Sequence, residues 1–157
     1  MKTDEKEKYY LSYIKSAQST VALTLLLNLI FIIRTFFSKN TDFLFSLYST
    51  EFALESSGFL TDNNGTMSVL SAIIIILAGM IPLTSALILA AKNAKHLSVC
   101  LIFYVLDFAF LVYGLICNPF SEVTDASYIN LIFHLLNTLL ICVGIYGERK
   151  IRHLSKN

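Results

Sequence analysis

The sequence predicts an all-α, polytopic integral membrane protein. We expect an antiparallel bundle of four transmembrane helices, with both termini cytoplasmic and an outer interfacial segment after the first helix. Of the 157 residues, 55% are hydrophobic and 15% are charged, whereas a soluble domain usually carries about 25% charged residues. The charges lie in short islands, and the apolar stretches between them have roughly the 20 residues that a helix needs to cross the hydrocarbon. The whole chain, 1–157, is therefore predicted to form a single membrane domain.

Four apolar stretches are long enough to be these crossings. They cover about residues 16–34, 67–91, 97–117 and 127–147. The third ends before Pro119, because proline cannot continue a helix and also restricts the residue before it. Pro82 lies inside the second and is predicted to kink that helix, since it has no N–H for the carbonyl of Ala78. No stretch shows the two-residue alternation of a membrane β-strand.

The distribution of lysine and arginine predicts the orientation of the helices. Ten of the 12 basic residues lie in residues 1–17, 91–97 and 148–157, and only Arg34 and Lys39 lie elsewhere. Loops on the cytoplasmic side of a membrane carry an excess of these two residue types. We therefore expect a multi-pass protein of the cell (plasma) membrane whose two termini and 91–97 turn lie in the cytoplasm.

The outer loop, 35–66, contains an unusually apolar part. Residues 42–56, "DFLFSLYSTEFALES", are too apolar for a solvated loop, but too short and too acidic to span the membrane. A segment of this kind is typical of the membrane interface. We expect it to lie in the outer interface and cap the bundle; the alternative is a loop whose phenylalanine and leucine side chains merely tuck against the helices.

Each of three crossings carries its polar residues at helical spacing, which places them on one side of the helix. Lipid does not favour such a side, so the three polar sides are expected to face one another. The three sets are Thr20, Thr24 and Asn28; Cys100, Tyr104, Asp107, Leu111 and Gly114; and Asn130, His134, Asn137, Ile141 and Gly144.

The middle of these sets predicts a shared polar pocket near the bilayer midplane. At a rise of 1.5 Å per residue, Asp107, His134, Asn137 and Asn28 lie at similar depths. An ionisable side chain at that depth costs about 3 kcal/mol even on the mildest scales, so it indicates a functional site by default. The predicted ligand or ion site consists of Asp107, His134, Asn137, Asn28 and Tyr104, and in it Asp107 is expected to face His134 and the two asparagines. In the alternative, Asp107 merely ties two helices together.

Two classes of function fit this pattern, and the sequence favours the first of them. The first is a protein that handles a small solute or ion through the midplane pocket, as a transporter or channel component or as a ligand-binding subunit. The second is a non-catalytic accessory, regulatory or immunity-type subunit that docks on a larger membrane complex. Four helices enclose little volume, so transport is expected to need a homo-oligomer or a partner chain. The partners in either case are the lipid bilayer and other membrane chains.

Other classes of function are not predicted. The sequence has no GxSxG, HExxH or glycine-rich phosphate motif, which argues against an enzyme. One histidine and one aspartate do not supply the three or four ligands of a metal site, and we expect no cofactor. The net charge of +1 does not indicate binding to nucleic acid. The cysteines Cys100, Cys117 and Cys142 have no CxxC spacing and are expected to act as small buried apolar residues.

Overall fold

The structure is a computed structural model that describes residues 3–38, 47–50, 52, 77, 80–117 and 125–155. Within these residues the chain is helical, and no strand is found. The elements are α1 (Thr3–Ser38), α2 (Ile81–Lys92), a 3-10 turn (Ala94–His96), α3 (Leu97–Cys117) and α4 (Asp125–Leu154). Parts of α1 and α4, and the 3-10 turn together with α3, form three helical stretches long and apolar enough to cross a membrane. The protein is therefore an all-α membrane protein by length and composition.

The helices agree with the predicted crossings to different degrees. α3 has the bounds that the sequence predicts and ends at Cys117, two residues before Pro119. α1 has 36 residues and begins at Thr3, well before the predicted start at residue 16. At 1.5 Å per residue it is about 54 Å long, so a part of it extends beyond about 30 Å of hydrocarbon. Acidic residues such as Glu5 near a helix N-terminus favour this early start, because their negative charge interacts favourably with the positive end of the helix dipole.

The second predicted crossing is described mainly in its C-terminal half. There it forms α2, a 12-residue helix, which alone is shorter than a membrane span. Pro82 lies in the first turn of α2, where its missing N–H costs no helical hydrogen bond. Leu77 and Met80, just before it, have π-helical hydrogen bonding. The regular α-helix therefore begins next to Pro82, directly after a residue with helical backbone angles. The kink at Pro82 stays a prediction, since its carbonyl partner Ala78 lies outside the described residues.

Helices α1 and α4 pack closely along each other in opposite directions. A Cβ atom added to Gly144 would lie 2.3 Å from the Cβ of Ala17, and one added to Gly147 would lie 2.8 Å from the backbone oxygen of Tyr10. These glycines let the two backbones approach, as small residues do between membrane helices. The rings of Tyr10 and Tyr146 are also in contact, so the N-terminal turns of α1 lie beside the C-terminal turns of α4.

Helix α2 packs against both α1 and α3. The side-chain amide of Gln18 in α1 donates to the carbonyl oxygens of Ala90 and Ala91, at 3.1 and 3.2 Å, in the last turn of α2. Carbonyl groups in the last turn of a helix have no N–H partner within that helix, so Gln18 caps the C-terminal end of α2 from the neighbouring helix. The turn that follows is closed by Asn93, whose side chain accepts a hydrogen bond from the backbone N–H of Lys95.

The buried side of each long helix repeats with alternating steps of three and four residues, the spacing of left-handed helix packing. In α1 this side is Ile14, Ala17, Val21, Thr24, Asn28 and Phe31. Thr20 lies beside it, is half-buried, and returns its hydroxyl to the carbonyl of Ser16. Of the three residues predicted to share this side, Thr24 and Asn28 are buried on it, whereas Thr20 is only half-buried.

The three cysteines do not share one environment. Cys100 is buried in the apolar core, as expected, whereas Cys117 and Cys142 are exposed on the outside of their helices. All three are free thiols. The exposed positions are occupied mainly by large apolar side chains, and a cysteine thiol is apolar enough to share such a surface.

Candidate functional site

The five residues that the sequence assigns to a polar pocket are all buried inside the bundle. Each has less than 6% of its surface exposed, and Tyr104 and His134 have none exposed. They come from α1, α3 and α4, and together with Thr24 they form what we call the polar layer, namely Thr24, Asn28, Tyr104, Asp107, His134 and Asn137. The inward facing of these side chains agrees with the prediction. Their assignment to a ligand or ion stays a prediction.

The carboxylate of Asp107 binds the backbone of the segment after α1. Its Oδ2 accepts a hydrogen bond from the N–H of Tyr48 at 3.0 Å, and its Oδ1 accepts one from the N–H of Ser49 at 2.8 Å. Residues 48–50 form a short helical turn, so these are N–H groups at its start, which have no partner within the turn. Asp107 acts as an N-terminal cap supplied by another helix, in the manner of an aspartate at an N-cap.

Asn28 adds a third contact to the same segment. Its side-chain oxygen accepts a hydrogen bond from the N–H of Leu47 at 3.3 Å. Leu47, Ser49 and Thr50 are all buried, so this part of the 42–56 stretch is packed against the helices. Its place in the outer interface stays a prediction. The start of this short turn can be buried because side chains of α1 and α3 accept hydrogen bonds from its N–H groups, as any backbone away from water requires.

Aromatic packing holds the segment on its other side. The ring of Tyr48 contacts that of Phe110 at 5.1 Å, and the ring of Phe52 contacts Phe110 at 5.0 Å, both edge to face. The Tyr48 hydroxyl lies only 2.0 Å from the place where a Cβ on Gly114 would be. Gly114 therefore leaves a notch in α3 that receives this ring.

The imidazole of His134 contacts the carboxylate of Asp107. Its Nε2 lies 3.2 Å from Oδ2 of Asp107, and its Nδ1 lies 2.9 Å from the backbone oxygen of Asn130. A carbonyl oxygen only accepts, so we assign a hydrogen to Nδ1 from its partner. The Nε2–Oδ2 contact then needs a hydrogen as well, because two lone pairs facing each other would repel.

The position of that shared hydrogen decides the charge of each group in the pair. If it lies on nitrogen, Asp107 is a carboxylate beside an imidazolium; if it lies on oxygen, both groups are neutral. The net charge is zero in either form. This explains how an aspartate is tolerated in the middle of an apolar helix, because an unpaired buried charge would be far more costly.

Rings on three sides fix the orientation of His134. Tyr104 stacks on the imidazole at 5.3 Å between centroids, Phe108 is nearly parallel to it at 6.2 Å, and Phe133 approaches edge-on. An imidazole held in this way keeps the same nitrogen turned to Asp107. The stack also excludes lipid and water from those faces of the ring.

Asn137 closes the layer on the side of α1. Its side-chain amide donates to the hydroxyl of Tyr104 at 3.0 Å and to the hydroxyl of Thr24 at 3.2 Å. The Thr24 hydroxyl in turn donates to the carbonyl of Thr20 within α1. One amide thus joins α1, α3 and α4, a type of contact common between membrane helices.

The sequence places these residues in one layer but does not identify their partners. It predicts that Asp107 faces His134 and the two asparagines; His134 is a partner, but the closest contacts of the carboxylate are backbone N–H groups of residues 48 and 49. The signal that could have pointed to them is the apolar character of residues 42–56. Among the described residues, no group of three or more histidine, cysteine, aspartate or glutamate side chains could hold a metal ion.

The layer is therefore a closed set of hydrogen bonds that ties three helices to the segment after α1. Searches of protein-family models, of curated proteins and of solved structures found no match to this chain. Its function has to be inferred from the chemistry of the layer itself.

Proposed function

We propose that the protein crosses the plasma membrane four times, with both termini in the cytoplasm. The three long apolar helices and the apolar character of residues 67–91 support four crossings. The contacts between the start of α1 and the end of α4 support termini on one side. The concentration of lysine and arginine at these ends and in the 91–97 turn supports the cytoplasm as that side.

Within this membrane fold, the protein acts as a non-catalytic accessory subunit that docks on a larger membrane complex, or on further copies of itself. The observation that carries this proposal is the burial of Asp107 and its binding to other groups of the chain. Both of its oxygens are bound to N–H groups of the same chain, and its side chain is 1% exposed. With the His134 contact, three of the roughly four acceptor positions of the carboxylate are used within the chain, and this supports a role in stabilising the fold. The outward faces of the helices are then the surfaces that meet a partner.

A second candidate, the handling of a small solute or ion, is favoured by a different observation. Among the described residues, the side-chain oxygens of Ser49 and Asn130 are buried and have no hydrogen-bond partner. In this alternative a solute would reach Asp107 and His134 only after the 47–50 segment had moved away. Charge on Asp107 would then be required for activity.

The experiment that tests the accessory role compares native assemblies. The tagged chain is expressed at native level, extracted in lipid nanodiscs, and its mass and composition are measured for the wild type, Asp107→Leu and Leu106→Ala. Leu106 is the matched control because it neighbours Asp107 but lies on the exposed face of α3.

The accessory role predicts a stoichiometric assembly in the wild type that survives Leu106→Ala and is weakened by Asp107→Leu, which releases the segment. A monodisperse single chain in all three samples would reject the accessory role. Uptake of an ion or solute by liposomes that contain the wild type, abolished by Asp107→Asn, would favour the second candidate instead.

A further inference from the structure

Four buried side-chain oxygens lack a hydrogen-bond partner among the described residues, namely Ser49 Oγ, Thr50 Oγ1, Thr84 Oγ1 and Asn130 Oδ1. Three of them adjoin the Asp107–His134 pair. Ser49 donates its backbone N–H to the carboxylate and Thr50 follows it in the chain, while the backbone oxygen of Asn130 receives Nδ1 of His134. Thr84, on α2, has no such link. Three of the four unsatisfied oxygens thus belong to residues of the segment and of α4 that are bound to the pair or follow such a residue in the chain.

A buried oxygen without a partner costs about 1–3 kcal/mol, and native proteins keep few of them. The group that satisfies these three must be small, since they lie within a packed bundle, and must be able to donate hydrogen bonds. The Asp107–His134 pair already has no net charge. Adding an ion beside it would introduce an uncompensated charge at membrane depth, which is expensive. The chemistry therefore favours a neutral donor over a cation.

We propose that water binds between the 47–50 segment and α4, on the hydroxyls of Ser49 and Thr50 and the amide oxygen of Asn130. This site hydrates the polar layer from the side opposite the aromatic stack on His134. It keeps the hydrogen shared by Nε2 and Oδ2 in exchange with solvent. The pair is then a proton-binding site with access to water.

This inference does not depend on the accessory role. A chain that forms no assembly could still hold water at this place, and an assembled chain could have a dry layer. The two proposals are tested on different samples and by different signals, so the failure of one can be told from the failure of the other.

Substitutions of nearly equal shape test whether the oxygens have a partner. Thr50→Val replaces the hydroxyl by a methyl group and leaves the backbone unchanged. If water is bound, removing its ligand leaves the thermal unfolding midpoint in nanodiscs unchanged or lowers it. If the hydroxyl has no partner, removing it relieves a buried polar group, and a raised midpoint in Thr50→Val would overturn the proposal.

Exchange of the shared hydrogen gives the second, independent readout. Protein labelled with ¹⁵N-histidine in nanodiscs is studied by NMR, and exchange of the His134 Nε2 hydrogen with water is measured. We expect rapid exchange in the wild type, slowing at least tenfold in a Thr50→Val/Asn130→Leu double variant. Thr84→Val, which removes an unpartnered hydroxyl elsewhere, should leave the rate unchanged.

Three outcomes of this measurement would overturn the proposal. They are slow exchange in the wild type, unchanged exchange in the double variant, and equal slowing in Thr84→Val. A rise in the wild-type unfolding midpoint that is specific to sodium or potassium, compared with choline at equal ionic strength, would identify a cation at the site and would also overturn it. Ser49→Ala serves as a further variant if the double variant does not fold.

Discussion

Replacing Asp107 distinguishes a structural clamp from a functional site, because the two roles predict opposite effects on stability. In Asp107→Leu, the N–H groups of Tyr48 and Ser49 and the Nε2 of His134 all lose the oxygens that now lie within 3.2 Å of them. An unsatisfied buried polar group costs about 1–3 kcal/mol, and contacts in membranes tend to the lower end of such ranges. We therefore expect a loss of about 2–5 kcal/mol in the free energy of unfolding.

The Asp107→Asn variant should fall between the wild type and Asp107→Leu. Its amide oxygen can still accept from the segment, and its amide nitrogen can donate to Nε2 of a neutral His134. One of the two backbone N–H groups of residues 48 and 49 is then left facing an NH₂ group. The expected loss is about 1–3 kcal/mol, the cost of one buried unsatisfied donor.

The assay is reversible unfolding of the purified chain in mixed micelles, with Leu106→Ala as the exposed control that should change stability by less than about 0.5 kcal/mol. We expect the free energy of unfolding to decrease from the wild type to Asp107→Asn and further to Asp107→Leu. Residues kept for function at the expense of stability often become more stable when replaced. An Asp107→Leu variant at least as stable as the wild type would therefore refute the clamp.

Three further substitutions test the packing around the layer. Gly144→Ala places a Cβ 2.3 Å from that of Ala17 and should lower the free energy of unfolding by about 1–3 kcal/mol. The Ala17→Gly/Gly144→Ala double variant should recover part of this loss. Equal stability of Gly144→Ala and the wild type would contradict this packing. Gly114→Ala fills the notch that receives Tyr48 and should increase protease cleavage within 47–52. Tyr48→Phe/Gly114→Ala lacks the closest clashing atom and should restore protection only in part, because Cζ of the ring would still lie 2.7 Å from the added Cβ. Unchanged cleavage in Gly114→Ala would argue against the notch. Gln18→Ala removes the side chain that caps α2. In the same unfolding assay it should lower the free energy of unfolding by about 1–2 kcal/mol, in line with other caps. An unchanged free energy would show that the cap contributes little.

The interior of the bundle could be predicted from the sequence to the extent that it follows helical periodicity. The alternation of three and four residues identifies the buried sides of α3 and α4, including Asp107 and His134, because lipid disfavours polar groups on an outer face. It does not identify Thr20 as half-buried, since positions four apart on α1 drift around the helix axis by about 40° per step.

The position of residues 47–50 could not be predicted, because it depends on backbone groups that have no signature in the sequence. The N–H groups of Tyr48 and Ser49 are present in any residues other than proline, and only the fold brings them to Asp107. The role of Pro82 could not be settled for a similar reason, since proline is compatible both with a kink and with the first turn of a helix.

Hydrogen–deuterium exchange at the backbone amides of Tyr48 and Ser49 probes the anchoring of this segment most directly. In the wild-type chain in nanodiscs, both amides should exchange as slowly as those in the middle of α3, and Asp107→Leu should make them fast without a change in α3. Fast exchange at both amides in the wild type would mean that the carboxylate does not hold them.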